Sequence, residues 1–146
     1  MIMADFKDFP RAGRIIGFDW GARRTGVAVS DESRGFVFVR APIVADDMAH
    51  EMALMAASEH AVGIVVGLPL RTDGSESETT QMVRDAVGRL ATYTDLPICF
   101  IDETLTSATA AEETKMRTVK EVKEKLDSVA ARVILENAIA VINRLQ

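Results

Sequence analysis

Arg14-Ile15-Ile16-Gly17-Phe18-Asp19-Trp20 is a short apolar run that ends in an acid and opens into Gly21. Two more runs rich in β-branched and aromatic residues follow closely, residues 25–30 (TGVAVS) and residues 35–39 (GFVFV). The gaps between the three, residues 21–24 and 31–34, are short and rich in turn-forming residues. Short gaps join antiparallel neighbours, so a three-strand meander is predicted.

After Val39 the period changes. Asp46 and Asp47 offer N-caps, and Met48, Met52, Met55 and Ala56 recur at helical spacing. These methionines read as core packing. Residues 62–66 are an apolar run with no polar member, the pattern of a strand covered on both faces. Gly67-Leu68-Pro69 ends it, and residues 70–78 form a polar loop with a turn at Asp73-Gly74. A second helix places Met82, Val83, Ala86, Val87 and Leu90 on one side. Residues 97–101 make a fifth strand, and residues 106–114 read as helical. The last helix carries a continuous stripe through Leu126, Val129, Val133, Ala138 and Ile142. The order β-β-β-α-β-α-β-α predicts an α/β fold. It is a mixed five-stranded sheet, a three-strand antiparallel meander plus two parallel strands, flanked by helices. Residues 14–146 are expected to form one domain preceded by a tail, residues 1–13.

A chain of 146 residues suits a single domain. Its one cysteine, Cys99, cannot form an intrachain disulfide, which suits a reducing compartment, and the cytoplasm is expected. Within an apolar run it reads as a small core residue. No stretch approaches the roughly 20 apolar residues of a membrane-spanning helix, so no membrane is expected as a partner. The net charge of −5 gives no overall attraction to nucleic acid, but a local basic patch can still hold phosphate.

Three acidic positions stand out. Asp19 ends the first strand, Asp102 and Glu103 end the fifth, and Asp127 begins the last helix. Parallel strands present their carboxyl ends along one edge, where ligands bind in α/β sheets, so the first and fifth strands can bring their acids together. Two carboxylates about 4 Å apart repel by about 4 kcal/mol at an effective dielectric near 20. A divalent cation removes that conflict, and oxygen-only ligands select Mg²⁺ or Mn²⁺. Asp102 and Glu103 are adjacent and point to opposite faces of an extended strand, so only one readily joins Asp19. Each acid also has a plainer role: a turn support at Asp19, an N-cap at Asp127.

Arg23 and Arg24, in a glycine-flanked turn after Asp19, can meet phosphate or simply be solvated. Arg71 opens a Ser/Thr-rich loop that can bind an anion at a helix N-terminus, or merely provide Ser77 as an N-cap. Lys115 belongs to a basic strip with Arg117, Lys120, Lys123 and Lys125, alternating with glutamates as a solvated helix face also would.

Together these blocks resemble the YqgF/RuvX family. Residues 16–21 with residues 24–31 match its opening motif, and residues 65–70 with Asp73-Gly74 match the next. Residues 102–107 and 126–131 match the later blocks, in the same order. The resemblance implies a ribonuclease H-like fold and a nuclease that matures the 5′ end of precursor 16S ribosomal RNA. It implies Asp19, Glu103 and Asp127 as the catalytic, metal-binding triad, and the choice of Glu103 over Asp102 comes from the resemblance. The partners it implies are structured nucleic acid, above all precursor ribosomal RNA, and ribosomal particles, for a monomer or weak homodimer. One position departs from the pattern. Thr104 stands where the family usually has Arg, so a cation for substrate phosphate is lost unless Arg71 or Lys115 replaces it. The competing readings are a Holliday junction resolvase, an actin-like phosphotransferase and a non-catalytic RNA-binding assembly factor. A phosphotransferase of that kind closes two related domains over its nucleotide, and this chain holds one.

Overall fold

The computed structural model describes residues 1–103 and 119–145, with side chains described for 1–103 and 129–145. Its strands are β1 (Ile2–Met3), β2 (Ile15–Asp19), β3 (Arg24–Ser30), β4 (Val37–Val44), β5 (Gly63–Leu68) and β6 (Ile98–Asp102). Its helices are α1 (Met48–Ser58), α2 (Glu78–Tyr93) and α3 (Val119–Leu145). The helix expected over residues 106–114, the basic strip from Lys115 to Lys125, and Thr104 lie outside the described side chains.

The strands form one sheet in the order β1-β6-β5-β2-β3-β4. β2, β3 and β4 are the antiparallel meander, while β5 and β6 run parallel to β2. The fold class is as expected, with one strand more. β1 pairs parallel with β6 through Ile2↔Ile98 and Met3↔Cys99, and the amino terminus donates to Leu96 O at 3.1 Å. Two residues are too few to show a period of two, so the sequence carries no strand signal there. The segment leading from β1 to β2 also enters the core. Phe6 and Phe9 are buried edge to face with ring centroids 5.4 Å apart, and the Phe9 ring fills the space beside Gly63.

β4 extends five residues past the run that predicted it, through Arg40 and Pro42. This is an edge strand, where a proline's missing N–H costs no ladder bond and a charge can reach water. Arg40 Nε uses that freedom to pair with Glu59 at 2.9 Å.

Helices cover both faces, which is why β5 is apolar along its whole length. Ile64 and Val66 join Phe18, Met52, Val87 and Leu90 beneath α1 and α2. Val65 faces the other way, with Ile15, Cys99, Ile134, Leu135 and Ala138 of the layer under α3. Each fully buried Ile or Leu side chain contributes roughly 1.5–3 kcal/mol. The helix starts follow the capping residues. Asp47 accepts from the His50 N–H, and Ser77 and Thr80 exchange side-chain to backbone bonds as a capping box. No helix among the described residues is long and apolar enough to cross a membrane.

Cys99 is 1% exposed, and burial, aided by the negative charge of Asp5, pushes its thiol up to about 11. The thiolate is the reactive form, so only about one thiol in a thousand is ionised at pH 8. Native protein is expected to resist iodoacetamide at pH 8 and to be alkylated rapidly in denaturant. Mass spectrometry over a time course distinguishes the two, and equal rates would place the thiol at the surface.

Candidate active site

Because β2, β5 and β6 are parallel, their carboxyl ends share one edge. The register sets Phe18 beside Val66 and Val66 beside Phe100, so the residues that follow, Asp19, Gly67 and Ile101, are level with one another. Glu103 follows β6 by one residue and is tied to β5 by its N–H, which donates to Leu68 O at 3.3 Å. Its side chain crosses the α3 face of β5 toward β2, over Gly67, which has no side chain to obstruct it.

The result is a contact between the carboxyl groups of Asp19 and Glu103, which hydrogen-bond to one another. Burial is the first cause of a raised Glu103 pKa, the nearby Asp102 charge adds to it, and the bond with Asp19 opposes it. Glu103 Oε2 is buried and has no hydrogen-bond partner among the described residues. Asp102 takes the opposite face, as adjacent strand residues must. There it lines an open groove of about 490 Å³ with Ile2, Met3, Leu68, Arg84 and Phe100. Asp127 lies within α3, but its side chain lies outside the described residues. No cluster of three metal-ligating side chains is found among the described residues.

Two carboxylates in contact, one with an orphaned buried oxygen, are a donor set of oxygens alone, which fits a hard divalent cation. Without a cation the arrangement is costly. A carboxylic acid whose pKa is raised on folding holds its proton more tightly in the native state than in the unfolded one. Its stability contribution is therefore best below the ordinary glutamate range and is lost as pH rises through the elevated pKa. In EDTA at neutral pH, Glu103→Gln is expected to raise the melting temperature, because the amide keeps the shape of the side chain and carries no charge to desolvate. The gain should vanish near pH 4. Thermal melts at the two pH values test this, and a gain that does not change with pH would rule out titration of Glu103 as its source.

The turn after Asp19 is held by Thr25, which is fully buried. The Gly21 N–H donates to Thr25 Oγ1 and Thr25 Oγ1 donates to Gly21 O, both at 3.2 Å. Gly21 is required by space, since a Cβ there would overlap the Arg24 carbonyl oxygen. Arg24 begins β3 half-buried, and Arg23 is exposed beside Val44, Ala45 and Asp46 in a second hollow. Arg71 is exposed after β5, with Nη1 donating to Glu76 O at 3.1 Å. The loop it opens is folded on itself. Asp73 Oδ1 accepts from Ser75 N and Oγ, Arg84 pairs with Glu76 at 2.7 Å, and Ser77 caps α2. Arg23 and Arg24 follow the carboxyl end of β2, and Arg71 follows that of β5. Lys115 lies outside the described residues. Sequence reasoning did not single out Thr25 or Gly67 as parts of the site. Gly67 was read as the end of a strand, although it lies inside β5.

Comparison with known proteins adds the following. A family model described as RuvX, Holliday junction resolvase, matches residues 13–140. A protein of Maridesulfovibrio salexigens named "Putative pre-16S rRNA nuclease" is 37% identical over 132 residues, which cover 87% of this chain and 98% of that protein. A protein of the same name from Thiobacillus denitrificans is 39% identical over 129 residues, covering 85% and 89%. The fold is similar to that of Thermus thermophilus RuvC, solved in complex with a Holliday junction substrate. The TM-score is 0.56 at 12% identity, over 90% of this chain and 96% of that one. The yeast mitochondrial Holliday junction resolvase Ydc2 gives 0.54 at 11% identity, over 96% and 84%. At these identities the likeness to the two solved structures is one of fold.

Proposed function

The chain belongs to the RuvX family, and from that premise we propose that it is a nuclease hydrolysing phosphodiester bonds of structured nucleic acid, with Asp19, Glu103 and Asp127 as ligands of Mg²⁺ or Mn²⁺. The observation that carries the reading is the meeting of Asp19 and Glu103, 84 positions apart in sequence, with one carboxylate oxygen buried and without a hydrogen-bond partner. For Asp127 the support is the position of its backbone in α3. It stands one helical turn before Ala131, whose carbonyl packs against Gly17, two residues ahead of Asp19 in β2.

Bound divalent ions supply charge neutralisation, activation of a water and stabilisation of the leaving oxygen. The chain's own groups do the rest. Asp19 ends β2 and Glu103 follows β6 by one residue, with β5 between the two strands and bonded to the Glu103 N–H through Leu68 O, so the separation of the donor oxygens is set by the sheet. Arg23, Arg24 and Arg71, which follow the carboxyl ends of β2 and β5, are the cations proposed for substrate phosphates, and Lys115, outside the described residues, is proposed as a fourth from the sequence alone. The substrate proposed is precursor 16S ribosomal RNA, cut at its 5′ end in the cytoplasm, free or within ribosomal particles, by a monomer or weak homodimer. The names of the curated relatives favour it over a four-way DNA junction.

The test is to incubate purified protein with precursor 16S RNA and, separately, with a four-way DNA junction, each with and without Mn²⁺. Mn²⁺-dependent cleavage of the RNA alone is the expected result. Cleavage of the junction alone would make the protein a resolvase. Binding of RNA without turnover in any divalent metal would make it a non-catalytic assembly factor.

A further inference from the structure

Gly67 lies in the middle of the catalytic edge, and its conformation does not call for glycine. Among the described residues the glycines with positive φ are Gly13 and Gly74, so an L-residue could adopt the backbone of Gly67. Inside a strand, glycine costs conformational entropy and gives up side-chain packing. The other buried positions of β5, apart from Gly63 at its start, carry Ile, Val, Val and Leu.

What Gly67 provides is space. A Cβ there would come within 2.5 Å of Glu103 Oε2 and 2.5 Å of Ile134 Cδ1, and 3.1 Å of Ile134 Cγ1. At Gly63 the corresponding space is taken by the Phe9 ring, an ordinary apolar filling. At Gly67 it is taken by a carboxylate oxygen that accepts no hydrogen bond among the described residues, beside a fully buried isoleucine of α3.

From this geometry we propose that Gly67 is a positioning residue of the metal site: its missing side chain is the slot that admits the Glu103 carboxylate and directs it to Asp19, with Ile134 as the opposite wall. The inference rests on the reading of Asp19 and Glu103 as metal ligands. With alanine at 67, two neighbours must yield. Ile134 can adjust within the apolar layer, whereas Glu103 can relieve the overlap only by swinging its carboxylate away from β5, and so away from Asp19.

The test measures Mn²⁺ affinity by calorimetry and melting temperature in EDTA for the wild type, Asp19→Asn, Gly67→Ala, Ile134→Val and the Gly67→Ala/Ile134→Val pair. Gly67→Ala should melt lower than wild type and bind Mn²⁺ about 10–100-fold more weakly, the loss usual when a group that orients a ligand is disturbed. Ile134→Val removes Cδ1 and with it one of the two closest overlaps. The double variant should therefore melt close to Ile134→Val alone while keeping the Mn²⁺ deficit. A double variant that binds Mn²⁺ as well as Ile134→Val would make Gly67 a packing residue and overturn the inference. A double variant that does not fold would overturn it too, because the strain would then lie outside these two side chains. Wild type binding Mn²⁺ no more tightly than Asp19→Asn would remove the metal-site reading itself. Wild type binding more tightly than Asp19→Asn, with Gly67→Ala equal to wild type, would remove only the role of Gly67.

Discussion

Asp19→Asn is expected to lower Mn²⁺-dependent cleavage by about 10³-fold or more with little change in fold. Asn has nearly the same shape as Asp, and the backbone at Asp19 stays paired with Gly26 across the meander. What is lost is a negative charge. The amide supplies one weak oxygen donor where the carboxylate supplied two, and it cannot share in balancing a divalent ion. Electrostatic stabilisation by a metal is worth several kcal/mol in such reactions, and about 4 kcal/mol corresponds to about 10³ in rate. The variant should also lose the stabilisation that Mn²⁺ gives the wild type in thermal melts. In EDTA its melting temperature should stay close to the wild-type value, because the asparagine amide can still donate a hydrogen bond to the Glu103 carboxylate. Cleavage at the wild-type rate by the purified variant would reject Asp19 as part of the site.

Gly21→Ala is the variant with the largest expected effect on stability, about 3 kcal/mol, which for a chain of this size lowers the melting temperature by roughly 10 °C. The Cβ would overlap the Arg24 carbonyl oxygen and stand 3.4 Å from its carbon. Unlike the end of a flexible side chain, a backbone carbonyl cannot rotate out of the way. The hairpin must open, breaking the two bonds to Thr25 and shifting the strand end that carries Asp19. Gly88→Ala is the matched control. Gly88 lies exposed in α2, and a Cβ there meets nothing within 4 Å. Alanine at that position should stabilise the helix by up to about 1 kcal/mol. Equal melting temperatures for the two variants would show that the hairpin adapts and that Gly21 is dispensable.

The difference between these two glycines illustrates what can be read from a sequence. A glycine inside a helical pattern and a glycine after a strand look alike as letters. Their substitution costs differ because of atoms that other parts of the chain bring near. The same holds for the polar loop after β5. A phosphate-binding loop and a self-bonded loop with an N-cap have similar compositions, and the bonds among Asp73, Ser75, Ser77 and Thr80 appear only in three dimensions.

By itself the sequence determined the meander, the two parallel strands, the helical layers and the acids standing at strand ends. Periods of 2 and 3.6 residues and short turn-rich gaps are local properties, written in consecutive residues. It also determined that Asp102 and Glu103 face opposite ways, since that follows from the pleat alone. Which of the two meets Asp19 does not follow from the pleat, and in the sequence only the family likeness points to Glu103. The tertiary structure made the geometric choice, because facing depends on the register of β6 against β5 and on which side α3 covers. It likewise built β1, whose two residues are too few to show any period, and opened the slot at Gly67. A vacancy is a relation among β5, β6 and α3, and no single stretch of chain contains it.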